Sequence, residues 1–325
     1  IYHQPNLAKS WFLALLCFLA LGMQSCRDGD TVISSEPEDT GSKAEKGDIM
    51  GLYLLNQGNM GSNKATLDFL DLSGDNGENI IYHRNIYSER NPNEIKELGD
   101  VGNDIKIYGS KLWMVINCSN KVEVADAYTC KKVAKIDIPN CRYLAFDGGF
   151  AYVSAYVAPV NMRQDAEVGA VYKVDTLTMK VVDKVMVGYQ PDELAVVHGK
   201  LYVANSGGYR NPNYDRTVSV IDLKTFKEER KIDVAINLHR CRADKYGQLW
   251  VSSRGDYKEV PSRLYWLKPN AAGQMEKGGE LEVPVSNMCI VGDSLYYIGV
   301  QWNETSKKNS IEYGIVNVSQ HKVIA

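Results

Sequence analysis

From residue 50 onward, apolar residues fall in short runs broken by polar turns, and helical spacing over 11–18 residues is absent. One phrase recurs: a turn, then a short apolar strand with an aromatic at its centre. It appears at Leu52-Tyr53-Leu54, Leu112-Trp113-Met114, Ala151-Tyr152-Val153, Leu201-Tyr202-Val203, Leu249-Trp250-Val251 and Leu295-Tyr296-Tyr297. The six aromatics are spaced by 60, 39, 50, 48 and 46 residues, about 49 on average. That period suits blades of four strands each in a β-propeller. The pattern therefore predicts an all-β fold and excludes an α/β one.

The interior of the repeat agrees. Val218–Leu223 alternates and then turns through Lys224, Thr225 and Phe226, and Val171–Leu177 does the same before Met179. Asp175 and Asp222 stand three residues ahead of Thr178 and Thr225, a spacing that favours tight turns through local side-chain hydrogen bonds. Continuous runs such as Leu112 to Ile116 fit strands buried on both faces between neighbouring blades. Five repeats are complete and a sixth stops at Ala325. The first repeat has no innermost strand ahead of Leu52. The expectation is a propeller over 49–325, seven-bladed in the full protein and truncated in its sixth repeat. A closed six-bladed ring is the competing reading.

The first 48 residues follow another pattern. Lys9 precedes thirteen uncharged residues, Trp11 to Met23, shorter than the roughly 20 a bilayer span needs. This suits the apolar core of a secretory signal over residues 1–26. Ser25-Cys26 closes it and resembles a lipobox, with Cys26 as the lipidated residue, although ordinary signal cleavage with an incidental cysteine stays open. Residues 27–48 carry seven acidic and three basic side chains and only two aliphatic ones, so they read as a flexible acidic tether. Asp28 and Asp30 just after the cysteine resemble export signals of surface-exposed lipoproteins in Bacteroides-type bacteria.

Charge narrows the function. Lys and Arg total 37 against 40 Asp and Glu, a net charge of −3, with no basic excess to suggest nucleic acid. Only five His are present, and no HExxH, CxxC, GxSxG, Walker loop or GxGxxG occurs, so no cofactor or metal is expected. Cys118, Cys130, Cys141, Cys241 and Cys289 are widely spaced and odd in number, unlike a disulfide framework. Cys241 and Cys289 fall on expected innermost strands as buried small residues. A Cys118–Cys141 bridge stays open in an oxidising compartment.

The chemistry-bearing residues sit where aromatic strands end and loops begin. Asn56, Asn117, Asn205, Ser252 and Arg254 are hydrogen-bonding groups rather than general bases. The loops holding Tyr156, Tyr209, Arg210, Tyr214, Tyr257 and Trp302, with the run Pro159–Arg163, are rich in aromatic and amide groups. Such loops suit a large planar ligand. The expected ligand-binding set is Asn56, Asn117, Tyr156, Asn205, Tyr209, Arg210, Tyr214, Arg254 and Trp302, with no catalytic residues. A binding protein is favoured over an enzyme or a structural surface-layer protein.

The repeated phrases GxLYVxN, VxVIDxxTxK and GxxPxxLAV resemble YncE-like, surface-layer-type seven-bladed propellers. The opening Leu52 to Asn59 is similar to propellers of Bacteroides-type lipoproteins. The resemblance covers residues 50–325. One branch, the BtuG-type proteins, captures vitamin B12 at the cell surface for a TonB-dependent transporter. It implies a corrinoid ligand, such a transporter as partner, and a lipid anchor in the outer membrane with the domain exposed. A surface glycan- or protein-binding propeller, or a lactonase-type enzyme, are the alternatives.

Overall fold

The computed structural model describes residues 37–43, 49–73, 79–94, 97–158, 167–303 and 307–325. The expected signal segment with Cys26 and residues 159–166 lie outside them.

The described residues form six antiparallel sheets of four strands, the blades of a β-propeller. Blade 1 holds β1 (Glu38–Lys43), β2 (Gly51–Asn56), β3 (Thr66–Asp71) and β4 (Asn79–His83), followed by the short helix α1 (Ile86–Arg90). Blade 2 holds β5 (Gly102–Tyr108), β6 (Lys111–Ile116), β7 (Lys121–Asp126) and β8 (Lys132–Asp137). Blade 3 holds β9 (Cys141–Asp147), β10 (Phe150–Ala155), β11 (Ala170–Asp175) and β12 (Lys180–Met186). Blade 4 holds β13 (Pro191–Val197), β14 (Lys200–Asn205), β15 (Thr217–Asp222) and β16 (Lys227–Asp233). Blade 5 holds β17 (Leu238–Ala243), β18 (Leu249–Ser253), β19 (Arg263–Pro269) and β20 (Met275–Leu281). Blade 6 holds β21 (Asn287–Val291), β22 (Ser294–Asn303), β23 (Lys308–Asn317) and β24 (Lys322–Val323).

Blades 2 to 6 are meanders whose strands pair in sequence order, and the recurrent aromatic lies on the second strand of each. Blade 1 is ordered β1-β4-β3-β2, so the aromatic strand β2 is itself the sheet edge. Within the stretch expected as tether, β1 pairs antiparallel with β4, Glu38 opposite Tyr82 and Lys43 opposite Asn79. The outer edge of β4 has backbone donors and acceptors to satisfy, and an added strand satisfies them whatever its side chains. The turn chemistry is as the sequence predicts: Asp175 Oδ1 accepts from Thr178 N at 2.7 Å and Asp222 Oδ1 from Thr225 N at 2.7 Å.

The core is a stack of blade-to-blade interfaces. Trp113, Val115, Val122 and Val124 of blade 2 meet Leu144, Ala151 and Val153 of blade 3. Tyr202, Val218 and Val220 of blade 4 meet Cys241, Leu249 and Val251 of blade 5. Side chains alternate across a strand, so one set faces the preceding blade and the other the next. That is why Leu112 to Ile116 are all buried.

Two blade faces remain uncovered among the described residues. On β2, Leu52 and Leu54 are exposed, although their equivalents Leu112, Met114, Leu201 and Val203 are buried. On blade 6, Val291, Tyr296, Ile311 and Tyr313 are exposed. Cys289, expected to be buried, is exposed because it pairs with Tyr296 on that same face. All five cysteines from Cys118 onward are free, so the Cys118–Cys141 bridge is not formed. Cys141 is buried instead, its Sγ 3.3 Å from the Lys121 carbonyl.

Equivalent tyrosines test this arrangement. Tyr202 is 5% exposed and Tyr296 is 45% exposed, at the same place in their blades. Tyr202→Ala should destabilise the chain by about 3 kcal/mol, and Tyr296→Ala by less than half of that, in urea denaturation. Equal losses would mean that blade 6 is covered in solution.

Candidate functional site

The innermost strands carry polar residues where a buried strand should be apolar, and β-bulges put them there. On β9 the pairing jumps from Cys141 to Leu144, leaving Arg142 and Tyr143 opposite Ser154. On β13 it jumps from Pro191 to Leu194, leaving Asp192 and Glu193 opposite Ala204. On β17 it jumps from Leu238 to Cys241, leaving His239 and Arg240 opposite Ser252. A bulge frees one residue from the ladder and re-aims side chains. The freed donors are satisfied locally: Tyr143 N–H donates to Ser154 Oγ at 3.1 Å and Arg240 N–H to Ser252 Oγ at 3.0 Å. Blade 6 pairs through β21 without a register shift.

Asp192 is the centre of the cluster. Its carboxylate is fully buried, and it accepts from Arg142 Nε at 3.2 Å, Arg254 Nη1 at 3.2 Å and the Tyr156 hydroxyl at 2.9 Å. Those three donors come from blades 3 and 5 and converge on a blade 4 residue. Glu193, also fully buried, lies 2.8 Å from Arg242 Nη2 and 3.8 Å from Arg240 Nη1. Its Oε2 accepts the Cys241 N–H at 3.0 Å. Asp104 of blade 2 does the same for Leu144 N at 2.9 Å, so this carboxylate-to-backbone cap is a repeated structural device.

Tyr143 lies between two cations. The Arg142 guanidinium is 5.7 Å from its ring centroid and that of Arg240 is 5.2 Å away. Its hydroxyl is 3.0 Å from His239 Nε2, and His239 Nδ1 is buried without a partner. Burial first, then the Arg254, Arg240 and Arg142 guanidiniums, hold the His239 imidazole well below its ordinary value, so it is neutral at pH 7. Burial raises the Glu193 carboxyl, with Arg242 and Arg240 opposing it. Burial works against the charge on Arg142, but the Asp192 carboxylate beside it helps to hold the guanidinium charged.

The loops above supply aromatic surface. Tyr209 is exposed and meets the buried Tyr156 edge-on, ring centroids 6.4 Å apart. Its N–H donates to Gln190 Oε1 at 2.8 Å. Gly207 lets this loop close: its φ is +54°, and a Cβ there would lie 2.2 Å from Asp215 N. Arg210 stacks over Tyr189 at 3.6 Å rather than entering the cluster. Tyr257 is exposed on the β18–β19 loop that begins with Arg254.

Of the expected ligand residues, Tyr156 and Arg254 are in the cluster, with Tyr209 against it. Tyr214 lies on the same β14–β15 loop as Tyr209. The three amides have structural work instead. Asn56 Nδ2 donates to Asp68 Oδ2 at 2.7 Å, Asn117 Nδ2 to Asn140 Oδ1 at 2.7 Å, and Asn205 Nδ2 to Ser219 Oγ at 2.9 Å. Their donors tie strands and blades together. Trp302, expected on a loop, has its backbone within β22 opposite Asn309, and its side chain lies outside the described residues. Sequence reasoning missed Arg142, Tyr143, Asp192, Glu193, His239 and Arg240. The available signal was the pair of polar residues inside each innermost strand, written as unspecified positions in GxxPxxLAV. Among the described residues, no group of three or more His, Cys, Asp or Glu is arranged to hold a metal ion.

Fold and site define a β-propeller with a charged cluster built on the bulged innermost strands of blades 3 to 5. The chain belongs to the DUF5074 family, a domain of unknown function, which matches residues 50–271. No curated protein matches it. Among solved structures it is similar to hydrazine synthase of Kuenenia stuttgartiensis, at 14% identity and a TM-score of 0.56, covering 90% of this chain and 80% of that one. It is also similar to a putative 6-phosphogluconolactonase from Bacteroides uniformis, at 12% identity and a TM-score of 0.55, covering 85% of each chain. A protein of unknown function from Bacteroides caccae matches at 13% identity and a TM-score of 0.51, covering 84% of this chain and 91% of that one. At these identities the likeness is one of fold.

Two predictions test the cluster. Asp192→Asn leaves two poorly hydrated guanidiniums without their shared countercharge and should cost about 3 kcal/mol or more. Glu193→Gln, whose amide oxygen can still accept from Cys241 N, should cost less. The second concerns pH. His239 is depressed in the folded chain, and an unfolded imidazole titrates near about 6.5. Its contribution is therefore complete above that value and is lost as pH falls towards the folded value, by at most about 1.4 kcal/mol per pH unit. Urea denaturation at pH 7.5 and 5.5 should show a smaller pH effect in His239→Gln than in the wild type.

Proposed function

We propose that this chain is a lipid-anchored binding propeller, which captures a nutrient-sized ligand at the cell surface through the cluster on blades 3 to 5. The observation that carries the reading is Asp192: a fully buried carboxylate held by Arg142, Arg254 and Tyr156. Burying charge is costly unless it is paired, and such pairs are weak evidence for stability alone. Exposed tyrosines beside the cluster support a ligand with a flat apolar face. The leader, Cys26 and the acidic residues after it support an outer-membrane anchor. The resemblance to BtuG-type lipoproteins supports a corrinoid as ligand and a TonB-dependent transporter as partner.

The Tyr143–His239 pair favours a second reading, a lactonase-type hydrolase with neutral His239 as general base. Turnover of glucono-δ-lactone that disappears in His239→Gln would support that reading over capture alone.

Two experiments test the first reading. Cys26→Ala should move the protein from the membrane fraction to the soluble one, and a variant that stays membrane-bound after a salt wash would overturn the anchor. Wild type should be retained on immobilised cyanocobalamin and pass through immobilised starch. Arg254→Ala with Tyr209→Ala should lose that retention, while Lys224→Ala, on a turn at the other end of the strands, should keep it. A wild type retained on starch alone would favour the glycan reading. Equal retention of the double variant would remove the site assignment.

A further inference from the structure

The cations of the cluster outnumber its carboxylates. Arg242 lies against Glu193, while Arg142 and Arg254 share Asp192. The Nε of Arg240 donates to the Ser286 carbonyl at 3.2 Å, and its nearest carboxylate oxygen is 3.8 Å away. Four guanidiniums thus face two buried carboxylates, and neutral His239 adds no charge. A guanidinium offers five N–H donors, whereas Arg142 and Arg254 each give one to a carboxylate and Arg240 gives one to a carbonyl. These side chains are only 16–28% exposed, so water cannot freely serve the remaining donors. A second, independent feature lies between them: His239 is buried, and its Nδ1 has no partner.

Resting on the reading that this cluster is the ligand site, we propose that its ligand is anionic. A carboxylate or phosphate group is held by Arg142, Arg240 and Arg254, and it is carried on a ring that lies against Tyr209. Guanidiniums bind such groups through paired N–H donors, and charge-assisted bonds of this kind are the strong ones in a poorly hydrated site. The anion supplies the charge that Asp192 alone does not. His239, held neutral among the guanidiniums, keeps a nitrogen to donate to it through Nδ1–H when Tyr143 donates to Nε2. Tyr209 gives the ring a face outside the charged group.

Calorimetry at low ionic strength with glucuronate, glucose 6-phosphate, inorganic phosphate and glucose tests this. Glucuronate or glucose 6-phosphate should bind at least tenfold more tightly than glucose, and which of the two is preferred separates a carboxylate from a phosphate ligand. Arg240→Gln should reduce that preference at least tenfold, and Arg240→Lys should restore part of it. Tyr209→Ala should weaken the ring-bearing anion and leave inorganic phosphate unchanged. Circular dichroism and melting curves check that each variant is folded. Glucose binding as tightly as its anionic forms, or a preference unchanged in Arg240→Gln, would overturn the anion while leaving the ligand site standing. Failure of all four probes would also overturn it, and retention on cyanocobalamin then decides the site reading separately.

Discussion

The inner edge of each innermost strand has no neighbouring strand to pair with. Such an edge presents rows of N–H and C=O groups that must be satisfied some other way. In blades 3 and 5 a carboxylate from the preceding blade meets that requirement. Asp104 caps Leu144 N, and Glu193 caps Cys241 N. The carboxylates bring cations with them: Lys106 lies 3.8 Å from Asp104, and Arg242 lies 2.8 Å from Glu193. Charge therefore enters the centre first as a structural necessity. The bulges that turn those side chains inward also turn their neighbours Arg142, Asp192 and His239.

Structure and site consequently share a backbone feature but differ in their residues. Glu193 is a cap that has a counterpart in blade 2. Asp192 has a different character, because its side-chain partners come from other blades and none of them is a backbone donor. The serines opposite the bulges, Ser154 and Ser252, take up the N–H groups that the irregular ladder releases. With backbone demands met this way, Arg142 and Arg254 are left to meet the Asp192 carboxylate and Arg240 to approach Glu193. The blades hold these groups in place through buried apolar interfaces such as the cluster that contains Tyr202 and Leu249.

The sequence by itself determined the repeat. Apolar alternation, the central aromatic and the Asp-x-x-Thr turns are local features, and each is repeated often enough to reveal the four-stranded unit. Tyr156 and Arg254 were legible because they directly follow aromatic strands. Asn56, Asn117 and Asn205 follow the same rule or nearly so, yet their amides join strands and blades, a use that depends on partners such as Asp68, Asn140 and Ser219. The tertiary structure alone decided the cluster. Arg142, Asp192 and His239 are about fifty residues apart along the chain and meet only because consecutive blades bring equivalent positions together. Without the bulges, a one-residue change of register would turn each of them to the opposite face.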